Sequence, residues 1–165
     1  MTQAAPSTGP KIYVGRTRSN RVEASVRLIA LGLCIGCLAL LLVAAGLSPN
    51  SSGTATHLQL GLQPCGFLVR TGLPCPACGM TTSFAWFARG NVPASFYVQP
   101  MGMVLAVLAG LSVWGAGYVA VTGKPVHRVF SIVPEKMYLY PLLAMGVLGW
   151  AWKMYIYLHH IDGWK

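Results

Sequence analysis

The stretch VRLIALGLCIGCLALLLVAAGL, residues 26–47, decides the fold class of this 165-residue chain. It carries one charge, Arg27, near its start, and Ser48-Pro49-Asn50 ends it. A helix of about 20 apolar residues crosses the hydrocarbon core of a bilayer, so the stretch predicts a transmembrane helix. Its apolar core is longer than that of a signal peptide and no A-x-A cleavage site follows it, so we expect an anchored helix.

Two further apolar stretches predict spans over residues 101–121 and 137–158. The third span contains Lys153, whose charged end we expect to snorkel outward to the interface. The chain is 55% hydrophobic and only 9% charged, a composition typical of lipid as the solvent. We therefore predict an all-α integral membrane protein with three transmembrane helices. Between the first two spans, residues 50–100 form a cysteine-containing loop of short amphipathic helices.

The distribution of charge predicts the orientation. The chain has twelve Lys and Arg residues and only three Asp and Glu residues, and eight of the twelve lie before the first span, in its first turn or between the second and third spans. Cytoplasmic segments carry the excess of positive charge, so we expect the N-terminus inside and residues 50–100 outside. Residues 1–24 are predicted to be a disordered basic cytoplasmic arm, and residues 25–165 a single membrane domain. The basic residues flank apolar spans, which indicates a lipid bilayer as the partner and no nucleic acid.

Small residues recur at helical spacing within the spans and predict close packing of helices. Without a hydrophobic force between helices in lipid, such residues let two backbones approach. The partner helix could belong to this chain, to a second copy or to another membrane protein. The small residues are Gly32 and Gly36, Ala106 and Gly110, and Gly146 and Gly149.

The loop at residues 50–100 carries several local signals. Leu58, Leu60 and Leu62 alternate with polar or glycine residues, which predicts a short strand. Helical spacing over residues 80–89 predicts a short helix that Arg89 and Gly90 end. A second short helix is expected to follow.

Three cysteines in this loop are candidate metal ligands. Cys75 and Cys78 form a C-x-x-C pair followed by glycine, and Cys65 precedes them. Such a turn is typical of a zinc knuckle, in which backbone N–H groups face the thiolate sulfurs. A four-coordinate zinc site needs one more ligand, and His57 is the only histidine in the loop. A Cys3His zinc site is therefore chemically complete.

The same residues also suit redox chemistry or a structural disulfide. A thiol at the N-terminus of a helix is acidified by the helix dipole, and Cys78 lies at the start of the helix predicted over residues 80–89. In the redox scheme, Cys75 attacks a disulfide, Cys78 resolves the product and Cys65 remains as an exchange thiol. Outside the cytoplasm, oxidising conditions favour a disulfide that only staples the loop. A second C-x-x-C, formed by Cys34 and Cys37, lies inside the first span, where we interpret its thiols as small apolar residues.

The loop resembles a known family. The run CGFLVRTGLPCPACGMT at residues 65–81 is followed by Arg89-Gly90-Asn91 and by Gln99-Pro100. This order is similar to that of small bacterial membrane proteins known as domain of unknown function 2752. The resemblance covers residues 65–101 and implies a membrane architecture with flanking helices. It implies no reaction.

Four positions depart from the family pattern. At position 82 the family carries Arg, which could pair with a thiolate, whereas the neutral Thr82 of this chain lacks that charge. The departures are Gly66, Thr82, Asn91 and Gln99.

Few residues suit general acid–base catalysis. The three acidic residues, Glu23, Glu135 and Asp162, all lie outside the cysteine loop. We therefore expect a binding or accessory subunit of a membrane assembly in the bacterial inner membrane, with the cysteines shaping the outer loop through a metal or a disulfide. The alternatives are a membrane thiol–disulfide oxidoreductase and a zinc-binding or metal-delivery protein. If the protein is an enzyme, thiol–disulfide exchange is the expected reaction.

Overall fold

The computed structural model describes residues 23–124 and 135–164. Most of the predicted disordered arm, residues 1–24, lies outside these ranges. Within them the chain is helical and contains no strand. The elements are α1 (Ala24–Gly46), a short 3-10 helix (Thr56–Leu60), α2 (Gly66–Thr71), α3 (Met80–Ala88), α4 (Val92–Val98), α5 (Pro100–Thr122) and α6 (Glu135–Leu158).

Helices α1 and α5 pack against each other in antiparallel orientation. The Arg27 guanidinium, in the first turn of α1, donates hydrogen bonds to the carbonyl oxygen of Ala120 at 3.1 and 2.9 Å. Carbonyls in the last turn of a helix, such as that of Ala120, have no hydrogen-bond partner within their own helix. A cation also interacts favourably with the negative end of the helix dipole. Arg27 therefore holds the start of α1 at the end of α5.

Both α1 and α5 are long and apolar enough to cross a membrane. Each has 23 residues, which gives a length of about 35 Å. Only 6% and 17% of their most apolar windows are buried inside the protein, whereas a core helix of a soluble protein is mostly buried. The first two predicted spans are confirmed as candidate membrane helices. The third, α6, forms a helix over the predicted range, and its crossing of the membrane stays a prediction.

The hydrophobic core lies where α1, α3 and α5 meet. Ala44, Phe84, Ala106 and Ala109 are buried there. Small side chains at three of these four positions let the helices approach closely, and Phe84 of α3 fills the space between them. The core thus fastens the cysteine-bearing segment to one end of the α1–α5 pair.

A buried polar cluster joins α3, α4 and α5. The Ser83 hydroxyl lies 2.9 Å from the Ser95 carbonyl oxygen and 3.1 Å from the Gln99 carbonyl oxygen. Gly102 makes this approach possible, because a Cβ at that position would lie 2.8 Å from the Cβ of Ser83. Asn91 caps α4 by accepting a hydrogen bond from the backbone N–H of Ala94 at 3.1 Å.

The strand predicted around Leu58, Leu60 and Leu62 is wrong. The first two of these residues lie in the 3-10 helix Thr56–Leu60, and all three leucines are exposed. A strand needs a neighbour to satisfy its backbone groups. Here the side-chain amide of Gln59 instead pairs with the backbone of Ser48, accepting from its N–H at 2.9 Å and donating to its carbonyl at 2.6 Å.

The predicted snorkelling of Lys153 is also wrong. Its side chain is 0% exposed, and its ammonium forms an ion pair with Asp162 at 2.7 Å. The chain after α6 folds back and brings Asp162 to the ammonium. An internal partner therefore replaces the water that a snorkelling lysine would reach.

Candidate functional site

Cys65 stands at the N-terminal cap of α2. The backbone N–H of Leu68 in the first turn of α2 interacts with its sulfur and lowers the pKa of the thiol to about 7, against the opposing effect of partial burial. The thiols of Cys75 and Cys78 add smaller effects in the same direction as Leu68. Cys65 therefore presents a sulfur that readily becomes a thiolate.

The turn at residues 74–79 places the other two cysteines. The backbone N–H of Cys78 donates to the Cys75 carbonyl at 2.9 Å, and the N–H of Cys75 lies 3.3 Å from the Cys78 sulfur. Backbone donors facing a sulfur stabilise its thiolate form. Gly79 then adopts a left-handed conformation with φ +86°, from which α3 begins. A residue with a side chain would be strained at this φ.

Cys78 is the most buried of the three cysteines, with 7% of its surface exposed. Burial, with a smaller contribution from the neighbouring Cys75 thiol, raises the pKa of the Cys78 thiol to about 12. The Cys75 sulfur lies 3.3 Å from the Cys78 sulfur. The sulfurs of Cys75 and Cys78 are therefore in contact within the turn at residues 74–79.

The structure brings all three sulfurs together. The Sγ atoms of Cys65, Cys75 and Cys78 lie within 4.8 Å of one another. They line a cavity of about 250 Å³, to which Thr54, Thr81 and Thr82 also contribute. Three sulfurs at this spacing can hold one metal ion between them, or can exchange a disulfide among themselves.

His57 lines the same cavity. Its Nε2 atom lies 3.2 Å from the carbonyl oxygen of Gln63. The compact group of ligand atoms contains the three sulfurs and does not include His57. Its role as a fourth ligand stays a prediction.

The cavity wall beside Thr82 is closed by a buried hydrogen bond. The hydroxyls of Thr56 and Thr82 lie 2.8 Å apart, and both residues are fully buried. Thr82, one of the four residues that depart from the family pattern, thus holds the 3-10 helix against α3.

Two side chains brace the cysteine turn from behind. The indole of Trp150 in α6 donates to the Pro74 carbonyl at 3.1 Å. The side-chain amide of Gln99, before α5, donates to the Pro76 carbonyl at 2.9 Å. Both carbonyls belong to the prolines that flank Cys75, so these contacts fix the backbone that carries this cysteine.

The Lys153–Asp162 pair meets the same turn. The Lys153 ammonium also donates to the carbonyl oxygen of Gly53 at 2.9 Å. A Cβ on Gly79 would lie 2.9 Å from the Lys153 nitrogen and 2.8 Å from the Gly53 oxygen. The buried ammonium therefore lies directly beside the residue that follows Cys78.

Sequence reasoning found the three cysteines and missed the residues that support them. Gln99 was noted only as a departure from the family pattern, and Trp150, Lys153 and Asp162 lie more than seventy positions beyond Cys75. A lysine inside an apolar stretch was the one available signal, since charged residues in such stretches tend to mark function. The cysteines of α1 remain apart from the site: the Cys34 sulfur lies 3.4 Å from the Val113 carbonyl oxygen.

These observations define an all-helical protein with two helices able to cross a membrane and a three-cysteine cluster at one end of the pair. The family described as "Protein of unknown function (DUF2752)" matches residues 65–113, from the first of these cysteines into α5. The resemblance inferred from the cysteine motif is confirmed. No curated protein and no solved structure matches the chain.

Proposed function

We propose that this protein is an integral membrane binding or accessory subunit in which Cys65, Cys75 and Cys78 hold a metal ion, with zinc as the simplest occupant. The mutual approach of three sulfurs within 4.8 Å carries the proposal. A disulfide would use two of them and leave the third beside it, whereas a metal ion uses all three. The bound metal would tie α2 to the turn that begins α3.

The spacing of the sulfurs supports a single metal ion. Zinc–sulfur bonds of 2.3 Å in a tetrahedral site place neighbouring sulfurs about 3.8 Å apart. The three sulfurs lie within 4.8 Å of one another, and the Cys75 and Cys78 sulfurs are 3.3 Å apart. Small side-chain rotations are therefore sufficient to reach the bonded arrangement.

His57 is the candidate for the fourth ligand. A metal-bound histidine commonly donates its other ring N–H to a backbone carbonyl, which fixes the orientation of the ring. Contact of the Nε2 atom with the Gln63 carbonyl matches that pattern and would leave Nδ1 for the metal. The proposed site is then Cys3His.

For the membrane we propose a bacterial inner-membrane protein with its N-terminus in the cytoplasm and the cysteine segment outside. Helix α6 would form the third span, with 24 residues, aromatic side chains and a long exposed apolar face. Gly32 and Gly36 have no atom within 4 Å of an added Cβ. That face of α1 is where a partner membrane protein or a second copy would pack.

A second candidate function is thiol–disulfide exchange. It is favoured by the contact between the Cys75 and Cys78 sulfurs at 3.3 Å and by the acidic Cys65 thiol beside them. In this role, Cys75 and Cys78 would pass their two electrons and two protons to a disulfide substrate and become a disulfide themselves. The three-cysteine cluster would then be a redox site rather than a metal centre.

Metal content and thiol content measured on the same sample test the proposal. The full-length protein, purified in detergent without reductant or chelator, should contain about one zinc per chain. We expect its site thiols to react with a thiol reagent only after the zinc is removed. Exchanging any one of Cys65, Cys75 or Cys78 for alanine should abolish the zinc.

The two cysteines of α1 provide the matched control. Cys34→Ala combined with Cys37→Ala removes two thiols outside the cluster, so this variant should keep its zinc. Absence of metal together with two oxidised thiols would select the redox function instead. Zinc that survives loss of a cluster cysteine would contradict both readings of the site.

A further inference from the structure

Among residues 23–124 and 135–164, the Lys153 ammonium uses two of its three hydrogen-bond donors. Its side chain is 0% exposed, and it donates to two acceptors, the Gly53 carbonyl and the Asp162 carboxylate. An ammonium carries three N–H donors. Because water does not reach this buried group, the third donor needs an acceptor inside the protein.

The nearest part of the site is the turn that carries Cys78. Gly79 follows Cys78, and the atoms nearest to an added Cβ on Gly79 belong to Gly53 and Lys153. Asp162 is not among those nearest atoms. The positive end of the ion pair therefore lies on the side of the cysteines.

A metal centre with three thiolates needs such a charge. Three thiolates and one divalent cation leave a net negative charge, and burying it without compensation is costly. The residues that line the cavity include no lysine or arginine. The Lys153–Asp162 pair is neutral as a whole, so it acts on the sulfurs as an oriented dipole with its positive end against the turn.

Stability alone does not explain a buried ion pair here. Replacing such a pair by well-packed apolar residues is often neutral or stabilising. The chain has only three acidic residues, and one of them, Asp162, forms the ion pair with Lys153. In a protein so poor in charge, a second role for the pair accounts for its presence.

We propose that Lys153 is a positioning residue of the three-cysteine metal centre: Asp162 and the Gly53 carbonyl hold its ammonium beside Gly79, where its positive charge favours the metal-bound thiolate of the preceding residue, Cys78. The inference rests on the proposed metal function. Lys153 does not bind the metal itself. It acts on Cys78 through the electric field of its charge, as groups around the direct ligands of a metal do.

The test is a titration of the metal-free, full-length protein in detergent with Co²⁺, followed by competition for Zn²⁺ with a chelator of known affinity. The variant Lys153→Met/Asp162→Leu removes both charges and leaves neither buried without a partner. We expect it to bind both metals about 10- to 100-fold more weakly than the unaltered protein. The cobalt–thiolate absorption band should shift as well, because the positive charge beside the Cys78 turn is removed.

Two controls separate this role from simple bracing. Lys153→Arg keeps a cation at the same place and should restore most of the affinity. Trp150→Phe removes the hydrogen bond to the Pro74 carbonyl, a brace of the same turn without charge, and should weaken metal binding less than the double variant does. Loss of affinity in Trp150→Phe equal to that in the double variant would overturn the proposal, since bracing alone would then explain both.

The remaining outcomes are also decisive. If the unaltered protein binds metal and the double variant binds it equally well, Lys153 has no role at the centre and the proposed metal function stands. If the unaltered protein binds no metal, both fail together. Should the double variant lose its helical circular dichroism, Lys153→Gln/Asp162→Asn replaces the charges by two amides that can bond to each other, and the same loss of affinity is expected of it.

Discussion

The thiol pKa values of Cys65 and Cys78 are shifted in opposite directions although their sulfurs lie within 4.8 Å of each other. The Cys65 sulfur faces the backbone N–H of Leu68 at a helix start, which lowers the pKa of the thiol to about 7. Cys78 is buried, which raises the pKa of its thiol to about 12. At neutral pH, the Cys65 thiol is therefore about half ionised, while the Cys78 thiol stays protonated. A metal ion would have to displace the proton of Cys78.

Alkylation of the reduced, metal-free protein should follow this difference. Cys65, whose pKa is lowered, should react with iodoacetamide at a rate that levels off above about pH 8, since its thiolate is then nearly fully formed. Cys78, whose pKa is raised, should react more than about tenfold more slowly at pH 7.5 and should still accelerate at pH 9. Peptide mass spectrometry over a pH series measures both sites at once. Equal rates at pH 7.5 would contradict the assigned environments.

At the scale of elements, α3 is the part that connects the cysteine turn to the membrane pair. Phe84 of α3 fills the core between α1 and α5, while Ser83 bonds to the carbonyls of Ser95 and Gln99. Cys78 and Gly79 lie directly before the first residue of this helix. Any shift of α3 on α5 is therefore transmitted to the sulfurs.

Gly102→Ala should destabilise this contact. The added Cβ would lie 2.8 Å from the Cβ and 2.9 Å from the hydroxyl oxygen of Ser83, so α3 must move away from α5 at a cost of about 1–3 kcal/mol. Thermal unfolding in detergent, followed by circular dichroism, should show a lower midpoint, and zinc should be released at a lower temperature.

Gly115→Ala is the matched control for that experiment, because it makes the same change in the same helix. An added Cβ at Gly115 meets no atom within 4 Å, and alanine favours a helix over glycine by up to about 1 kcal/mol. Its midpoint should equal or exceed that of the unaltered protein. Similar losses in both variants would show that the contact with Ser83 does not limit stability.

At the scale of the whole molecule, the two ends of the α1–α5 pair differ in character. At one end, the Arg27 guanidinium bonds to the last carbonyls of α5, beside the basic segments of the sequence. At the other end lie the cysteine site and the buried Lys153–Asp162 pair. An asymmetric distribution of this kind is expected of a protein with a fixed orientation in the membrane.

Labelling of introduced cysteines tests that orientation in intact cells. Ser51→Cys and Lys124→Cys each place an exposed thiol at an opposite end of the helix pair. With the N-terminus inside, a membrane-impermeant maleimide should label position 51 directly and position 124 only after the membrane is permeabilised. Peptide mapping separates these sites from the native cysteines. The reverse pattern would place the cysteine site in the cytoplasm.

Much of the architecture could be predicted from local composition. Apolar runs of sufficient length predict helices, and α1 and α5 begin and end within two residues of the predicted spans. The leucine alternation at residues 58–62 failed because a period of two predicts a strand only where a neighbouring strand exists. The C-x-x-C spacing placed Cys75 and Cys78 together, because a turn of four residues brings its ends close.

The sequence by itself determined the long helices, the two candidate spans and the identity of the three cysteines, since all three depend on residues near one another in the chain. Only the tertiary structure decided what surrounds the sulfurs. Lys153, Asp162 and Trp150 reach the cysteine turn because the last helix and the residues after it pack back on the loop. Contacts of this kind depend on distances through space, which spacing along a sequence does not encode.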